Sequence, residues 1–188
     1  MTTPLPPLQL SLQFSPEHRA RLDPKLHLAL TRHQVRQTLR HALRGALAHP
    51  SQQHTSAPSL AWPALLGVRV VGEVEGLALN QDYRQQAHAT NVLTFAYGLS
   101  PQIWADVVLC APVLKREARE LGVSLKSHCT HLLVHACLHA LGFDHEGARR
   151  EAQEMEALET LILKGLGVAD PYARAQPAKQ PSSKKRSP

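Results

Sequence analysis

Residues 8–14 (LQLSLQF) alternate apolar and polar positions, the period of a strand with one buried face. Asp23-Pro24 supplies an N-cap and a first-turn proline. From there to about His49 the residues Leu28, Val35, Leu39, Ala42 and Ala46 recur on one side of a predicted helix. Residues 50–63 are rich in Ser, Gln and Pro and read as a loop. A second strand is predicted over 68–71, a short helix interrupted by Gly76 over 73–81, and two further strands over 91–97 and 106–110. Helices follow over 112–121, over 124–141 with Ser124 as cap and Gly142 as stop, and over about 148–164. The order predicts an α+β fold in a single domain, with one mixed four-stranded sheet packed with helices. Pro, Ser, Ala and Lys dominate the end, so the expected division is a domain over 1–169 and a disordered basic tail over 170–188.

Charge changes this picture little. The chain of 188 residues carries 21 Lys+Arg against 15 Asp+Glu, a formal charge of +6. The tail holds Arg174, Lys179, Lys184, Lys185 and Arg186 against Asp170, which leaves the body at only +2. Net charge alone therefore does not make the body a nucleic-acid binder. Arg32, Arg36, Arg40 and Arg44 form one stripe on the first long helix, either a solvated face or a track for a phosphate backbone. No apolar run approaches the ~20 residues of a membrane helix, and the first residues lack the pattern of a signal peptide. Cys110, Cys129 and Cys137 show no CxxC spacing, which points to a reducing, cytoplasmic setting. The eight aromatic residues are too few for a surface built mainly on stacked bases.

Histidine is the unusual residue: there are 12, of which five lie between His128 and His145. His135 and His139, four apart on a helix, share a face and suit a common metal ion. His145 would point elsewhere on a continuous helix, but Gly142 can take a left-handed conformation and turn the chain back, bringing His145 round as third ligand. Three protein ligands leave one tetrahedral position open, as in a catalytic zinc site. The spacing H-x3-H-x5-H, with Gly142 three residues after His139, is that of the metzincin helix, except that Ala136 stands where a protease carries its general-base Glu. Three imidazoles suit one zinc ion per chain, although other divalent transition metals bind such ligands too. His128 and His131, upstream on the helix, either line the groove or support the site from behind. Asp144 either orients a ligand or simply makes the turn, and Cys137 is expected to be a small buried residue.

HACLHALGFDHEG resembles the signature of the YbeY endoribonucleases, usually H-G-x-L-H-L-x-G-Y-D-H. Leu79-Asn80 with Tyr83-Arg84, then Thr90-Asn91-Val92-Leu93-Thr94-Phe95, is similar to that family's L-N-x-x-Y-R and P-T-D-V-L-S-F. Residues 105–110 (ADVVLC) are similar to its G-D-I-V-I, and the likeness spans roughly residues 8–165. Ala136, Ala89, Ala87 and Ala105 depart from the family pattern without touching a ligand.

The resemblance implies a zinc-dependent, single-strand-specific endoribonuclease of ribosomal RNA maturation, acting on the 3′ end of 16S RNA and in ribosome quality control. Its metal ligands map to His135, His139 and His145, and its functional, RNA-binding arginine to Arg84. Arg84 would hold the scissile phosphate by its planar fork, with water or the RNA 2′-OH as nucleophile. Implied partners are small-subunit RNA, small-subunit ribosomal proteins and a ribosome-assembly GTPase. Two other readings stay open: a metal-dependent hydrolase of peptide or amide bonds, and a non-catalytic ribosome-binding module with a structural metal.

Overall fold

The computed structural model describes residues 5–16, 23–49, 63–144 and 149–173. Four strands and six helices follow one another within them: β1 (Leu8–Phe14), α1 (Pro24–Ala29), α2 (Arg32–Leu47), β2 (Ala64–Val71), α3 (Glu73–Arg84), β3 (Val92–Gly98), β4 (Trp104–Cys110), α4 (Ala111–Glu120), α5 (Leu125–Ala140) and α6 (Arg149–Gly165). The strands form one mixed sheet in the order β1-β2-β4-β3. β1, β2 and β4 run parallel, and β3 pairs antiparallel with β4. The α+β fold with a four-stranded mixed sheet is thus as expected. Among the described residues no helix is long and apolar enough to cross a membrane.

Strand alternation divides the sheet into two faces. Leu8 and Leu10 of β1, Leu66, Val68 and Val70 of β2, and Ala105, Val107 and Leu109 of β4 join the main core with α1, α2, α5 and α6. The opposite face is shorter in cover. Val71, Leu93, Val108 and Cys110 pack there with Val113 of α4, flanked by Leu79 and Phe95. α3 can lie close on this face because Gly76 has no side chain: a Cβ there would come 3.0 Å from Cys110 Sγ.

The single helix expected over 24–49 is two helices. Thr31 Oγ1 accepts the Gln34 amide at 3.2 Å and starts α2 afresh, a cap that also satisfies an otherwise orphaned donor. β2 begins four residues before its expected start, and α3 runs on three residues past its expected end. The loop expected over 50–63 lies outside the described residues except for Pro63.

Two members of the arginine stripe have a structural task. Arg32 Nη2 donates to Leu10 O at 2.6 Å and Arg36 Nη1 donates to Leu8 O at 3.0 Å. These carbonyls lie on the rim of β1 that no strand among the described residues pairs with. Cys110, Cys129 and Cys137 are buried free thiols. Burial pushes the Cys129 and Cys137 thiols up to about 12, as befits packing residues.

Candidate active site

α5 is apolar on nearly every side, with Cys129, Leu132, Leu133, Val134, Ala136, Cys137 and Leu138 all buried. Its exception is one line of imidazoles, His128, His131, His135 and His139, spaced by three and four residues. Successive ring centroids are 6.3, 6.2 and 4.6 Å apart, so His135 and His139 are the closest pair. The helix ends in a Schellman turn: Phe143 N–H donates to Leu138 O at 3.1 Å and Gly142 N–H to His139 O at 3.0 Å. Gly142 adopts φ +85°, so the predicted left-handed bend is present. His145, the predicted third ligand, lies outside the described residues. Asp144, the described residue next to it in the chain, is exposed.

His135 and His139 form one wall of a cleft of about 260 Å³, whose other lining residues are Arg84, Thr90, Asn91, Val92, Thr94 and Ala96. Arg84 reaches it as the last residue of α3. Gln85 follows in a left-handed conformation (φ 57°), closing the helix with its N–H on Asn80 O and Gln81 O. Buried Asn80 donates from Nδ2 to His88 O at 2.6 Å, which pins the loop after Arg84 to the end of its own helix. On the cleft's far side Asn91 Nδ2 donates to Glu117 Oε2 at 2.9 Å, and His128 Nε2 lies 2.8 Å from the same oxygen. Burial raises the Glu117 carboxyl, but these two contacts outweigh it and hold the group below its usual range.

A second carboxylate stands behind the histidines, and it was not singled out from the sequence. Glu159 of α6 has no exposed surface. Its Oε1 lies 3.1 Å from His131 Nε2 and 3.4 Å from His135 Nδ1, and its Oε2 accepts the Tyr172 hydroxyl at 2.5 Å. Burial raises this carboxyl too, yet the contacts with His131 and His135 bring it down to about 2. Burial, then the Glu159 carboxylate, push the Tyr172 phenol well above its ordinary value. Tyr172 and Asp170 (which accepts from Thr160 Oγ1 at 3.3 Å) tie the start of the expected tail back to α6, whereas residues 174–188 lie outside the described part. The signal for Glu159 is present in the chain: it falls among Met155, Leu158, Ile162 and Leu163, the buried stripe of α6, where a carboxylate needs a partner.

The geometry therefore unites Arg84, His135 and His139 at one cleft, and turns His131 toward Glu159 instead. A metal fits the donor set. His131, His135 and Glu159 present ligand atoms that all lie within 4.8 Å of one another, and the identity of an ion is open to this donor chemistry. His135 thus belongs to two groups, one facing the cleft with His139 and one facing the buried carboxylate. Ala136 is fully buried, so the position of a zincin's general base points into the core.

The family model for Endoribonuclease YbeY matches residues 26–167. The chain is 50% identical over 169 residues to Endoribonuclease YbeY of Methylibium petroleiphilum, covering 89% of this chain and 96% of that one. It is 48% identical over 166 residues to the Acidovorax sp. protein of the same name (88% and 96% covered), and 47% identical over 172 residues to that of Delftia acidovorans (89% and 97% covered). A solution structure from Thermotoga maritima aligns with a TM-score of 0.45 at 16% identity, covering 95% of this chain and all of the other. The chain belongs to the endoribonuclease YbeY family of hydrolases acting on RNA.

Proposed function

We propose that the chain is a zinc-dependent endoribonuclease that cuts single-stranded RNA in the cytoplasm, with the 3′ end of 16S ribosomal RNA as its physiological target in maturation and quality control. One observation carries the reading: the Arg84 guanidinium and the His135–His139 pair line the same cleft. Relatives named Endoribonuclease YbeY, matched over nearly their whole length, support an RNA substrate, and the reading takes small-subunit RNA, ribosomal proteins and a ribosome-assembly GTPase as partners.

Phosphodiester cleavage gathers negative charge on the non-bridging and leaving oxygens, and a guanidinium fork meets two phosphate oxygens at once. Arg84 fits that task, because the Asn80–His88 bond fixes the loop beside it. His135 and His139 are the ligands that open on the cleft, with His145 as the third. A zinc ion there supplies a Lewis acid for the phosphoryl oxygen and lowers the pKa of water. Glu159 Oε1 lies 3.4 Å from Nδ1 of His135, an electrostatic contact that favours a proton on Nδ1 and leaves the Nε2 lone pair for a metal. A cation held instead by His131, His135 and Glu159 would sit against a carboxylate with no exposed surface, and neither His131 nor Glu159 lines the cleft. Buried Ala136 counts against a peptide hydrolase on this scaffold.

Metal-loaded protein incubated with single-stranded RNA, duplex RNA and casein, with and without chelator, tests the reading. Chelator-sensitive cleavage of the single strand, lost in Arg84→Ala and in His139→Ala, is expected. Cleavage of casein, or RNA cleavage that persists in both variants and so belongs to a contaminant, overturns it. Metal content separates the two donor groups: His139→Ala abolishes binding at the cleft but spares a site made of His131, His135 and Glu159.

A further inference from the structure

Four of the chain's eight aromatic residues lie on one patch, on the side of the sheet away from α5. Tyr83, Tyr97 and Trp104 are 66%, 53% and 51% exposed, far beyond what three large rings in a small body keep by accident. They stand in two close pairs. Tyr83 meets Phe95 edge-on at 4.7 Å, and Tyr97 tilts against Trp104 at 4.8 Å. Beside them a depression of about 280 Å³ is floored by Ser11, Gln13, Gly67 and Asp106. The small number of aromatics counts against a stacking surface only if they are scattered, and they are not.

We infer that this open sheet face, carried by Tyr83, Phe95, Tyr97 and Trp104, is a stacking platform for the single-stranded RNA whose phosphate enters the Arg84–His135–His139 cleft. The inference rests on the endoribonuclease reading and extends its binding site to a second surface. The two surfaces are continuous through the same residues. Tyr83 and Arg84 are chain neighbours on the last turn of α3. On β3, alternation sends Thr94 and Ala96 to the cleft while Phe95 and Tyr97 face the platform. Among the described residues β3 is an edge strand, so a nucleic-acid strand passing over that rim moves from one surface to the other.

The platform is also held in place before any ligand arrives. Tyr97 donates its hydroxyl to Asp106 Oδ2 at 3.1 Å. The other oxygen, Asp106 Oδ1, lies over Gly67, at a spot only 2.0 Å from where a Cβ would stand. Gln13 Nε2 donates to Ser11 Oγ at 3.3 Å, leaving amide and hydroxyl groups at the floor to meet base edges. Charge contributes little here, because Arg69 is paired with Glu75 at 2.7 Å and Asp106 is acidic. The attraction is therefore of bases for rings, which unpaired bases can satisfy and the already stacked bases of a duplex cannot.

The test uses the full metal-loaded chain and a fluorescent single-stranded 2′-O-methyl oligoribonucleotide of about ten nucleotides, within the span such surfaces cover. Tyr97→Ala combined with Trp104→Ala should weaken binding roughly tenfold or more. The slope of affinity against salt should stay unchanged, whereas loss of a phosphate contact would reduce it. Trp104→Phe, which keeps a ring, should restore most of the affinity of Trp104→Ala. Quenching of tryptophan fluorescence by the single strand should disappear in Trp104→Ala, and a duplex should cause none in the unaltered chain. Circular dichroism verifies that each variant is folded, and Tyr83→Ala replaces any that is not. If the unaltered chain cleaves and binds RNA while the ring-deleted variants bind within twofold of it, the platform is overturned and the endoribonuclease reading stands. If the unaltered chain neither binds nor cleaves RNA, both fall.

Discussion

The Glu159 carboxylate lies 3.4 Å from Nδ1 of His135, with no exposed surface of its own. It comes from α6, two dozen positions further along the chain, and it lies behind the histidine rather than in front of it. If His135 binds the metal as proposed, a carboxylate behind it favours the orientation and tautomer that present Nε2 to the ion. Glu159→Gln should therefore weaken zinc affinity by about 10–100-fold with the cleft intact, as removal of such outer partners does. Competition against a chromophoric chelator measures it, and unchanged affinity would deny Glu159 that role.

The same carboxyl predicts an acid dependence. Its value in the fold is about 2 against an ordinary 4.5, so the proton binds more readily to the unfolded chain. A depressed carboxyl stabilises the fold fully above about pH 4.5, and the contribution fades as pH falls toward 2. Metal-free protein should lose on the order of 2–3 kcal/mol from this group across that window. Urea midpoints at pH 5 and pH 3 should fall further apart in the unaltered chain than in Glu159→Gln. Equal spacing would contradict the assignment.

Tyr172 donates to the other oxygen of Glu159. Tyr172→Phe leaves a buried carboxylate oxygen without that donor, at a cost of about 1–3 kcal/mol. A lower thermal midpoint at neutral pH is expected, with zinc stoichiometry retained.

Arg84 acts by geometry as well as charge. Arg84→Lys keeps the charge but loses the two-pronged fork, so it should recover little of the RNA cleavage lost in Arg84→Ala. Both variants should bind zinc and melt like the unaltered chain. Near-normal rates in Arg84→Lys would reduce the residue to an electrostatic one.

Gly142 holds φ +85° at the end of the histidine helix. Gly142→Ala forces a side chain into the left-handed region at about 1–2 kcal/mol. The expected result is a lower thermal midpoint together with weaker metal uptake, since the segment after the turn carries His145.

Much of this site is legible in the sequence because its parts are local. Two imidazoles four residues apart, a glycine three further on and the Tyr83-Arg84 pair are short-range patterns, and a helix or a turn converts each directly into geometry. β1 coincides with its alternating pattern for the same reason. Glu159 is different: its meaning depends on which helix α6 packs against, and nothing within ten residues of it states that. The division of α1 from α2 was signalled by Thr31 and hidden by the apolar periodicity that continues across it. The early start of β2 was hidden by the adjoining Pro-rich stretch, although Ala64 and Leu66 take buried places in the sheet opposite Leu8 and Leu10. The aromatic platform escaped because its members come from α3, β3 and β4, so a count over the whole chain dilutes what the fold concentrates.

Arg32 and Arg36 occupy the outer carbonyls of β1, so a foreign strand cannot easily register there. Among the described residues the other rim of the sheet is β3, which also borders the cleft. An extended peptide that zips onto β3 would cover the passage between the two surfaces, and so would behave as a competitive inhibitor without ever touching a histidine.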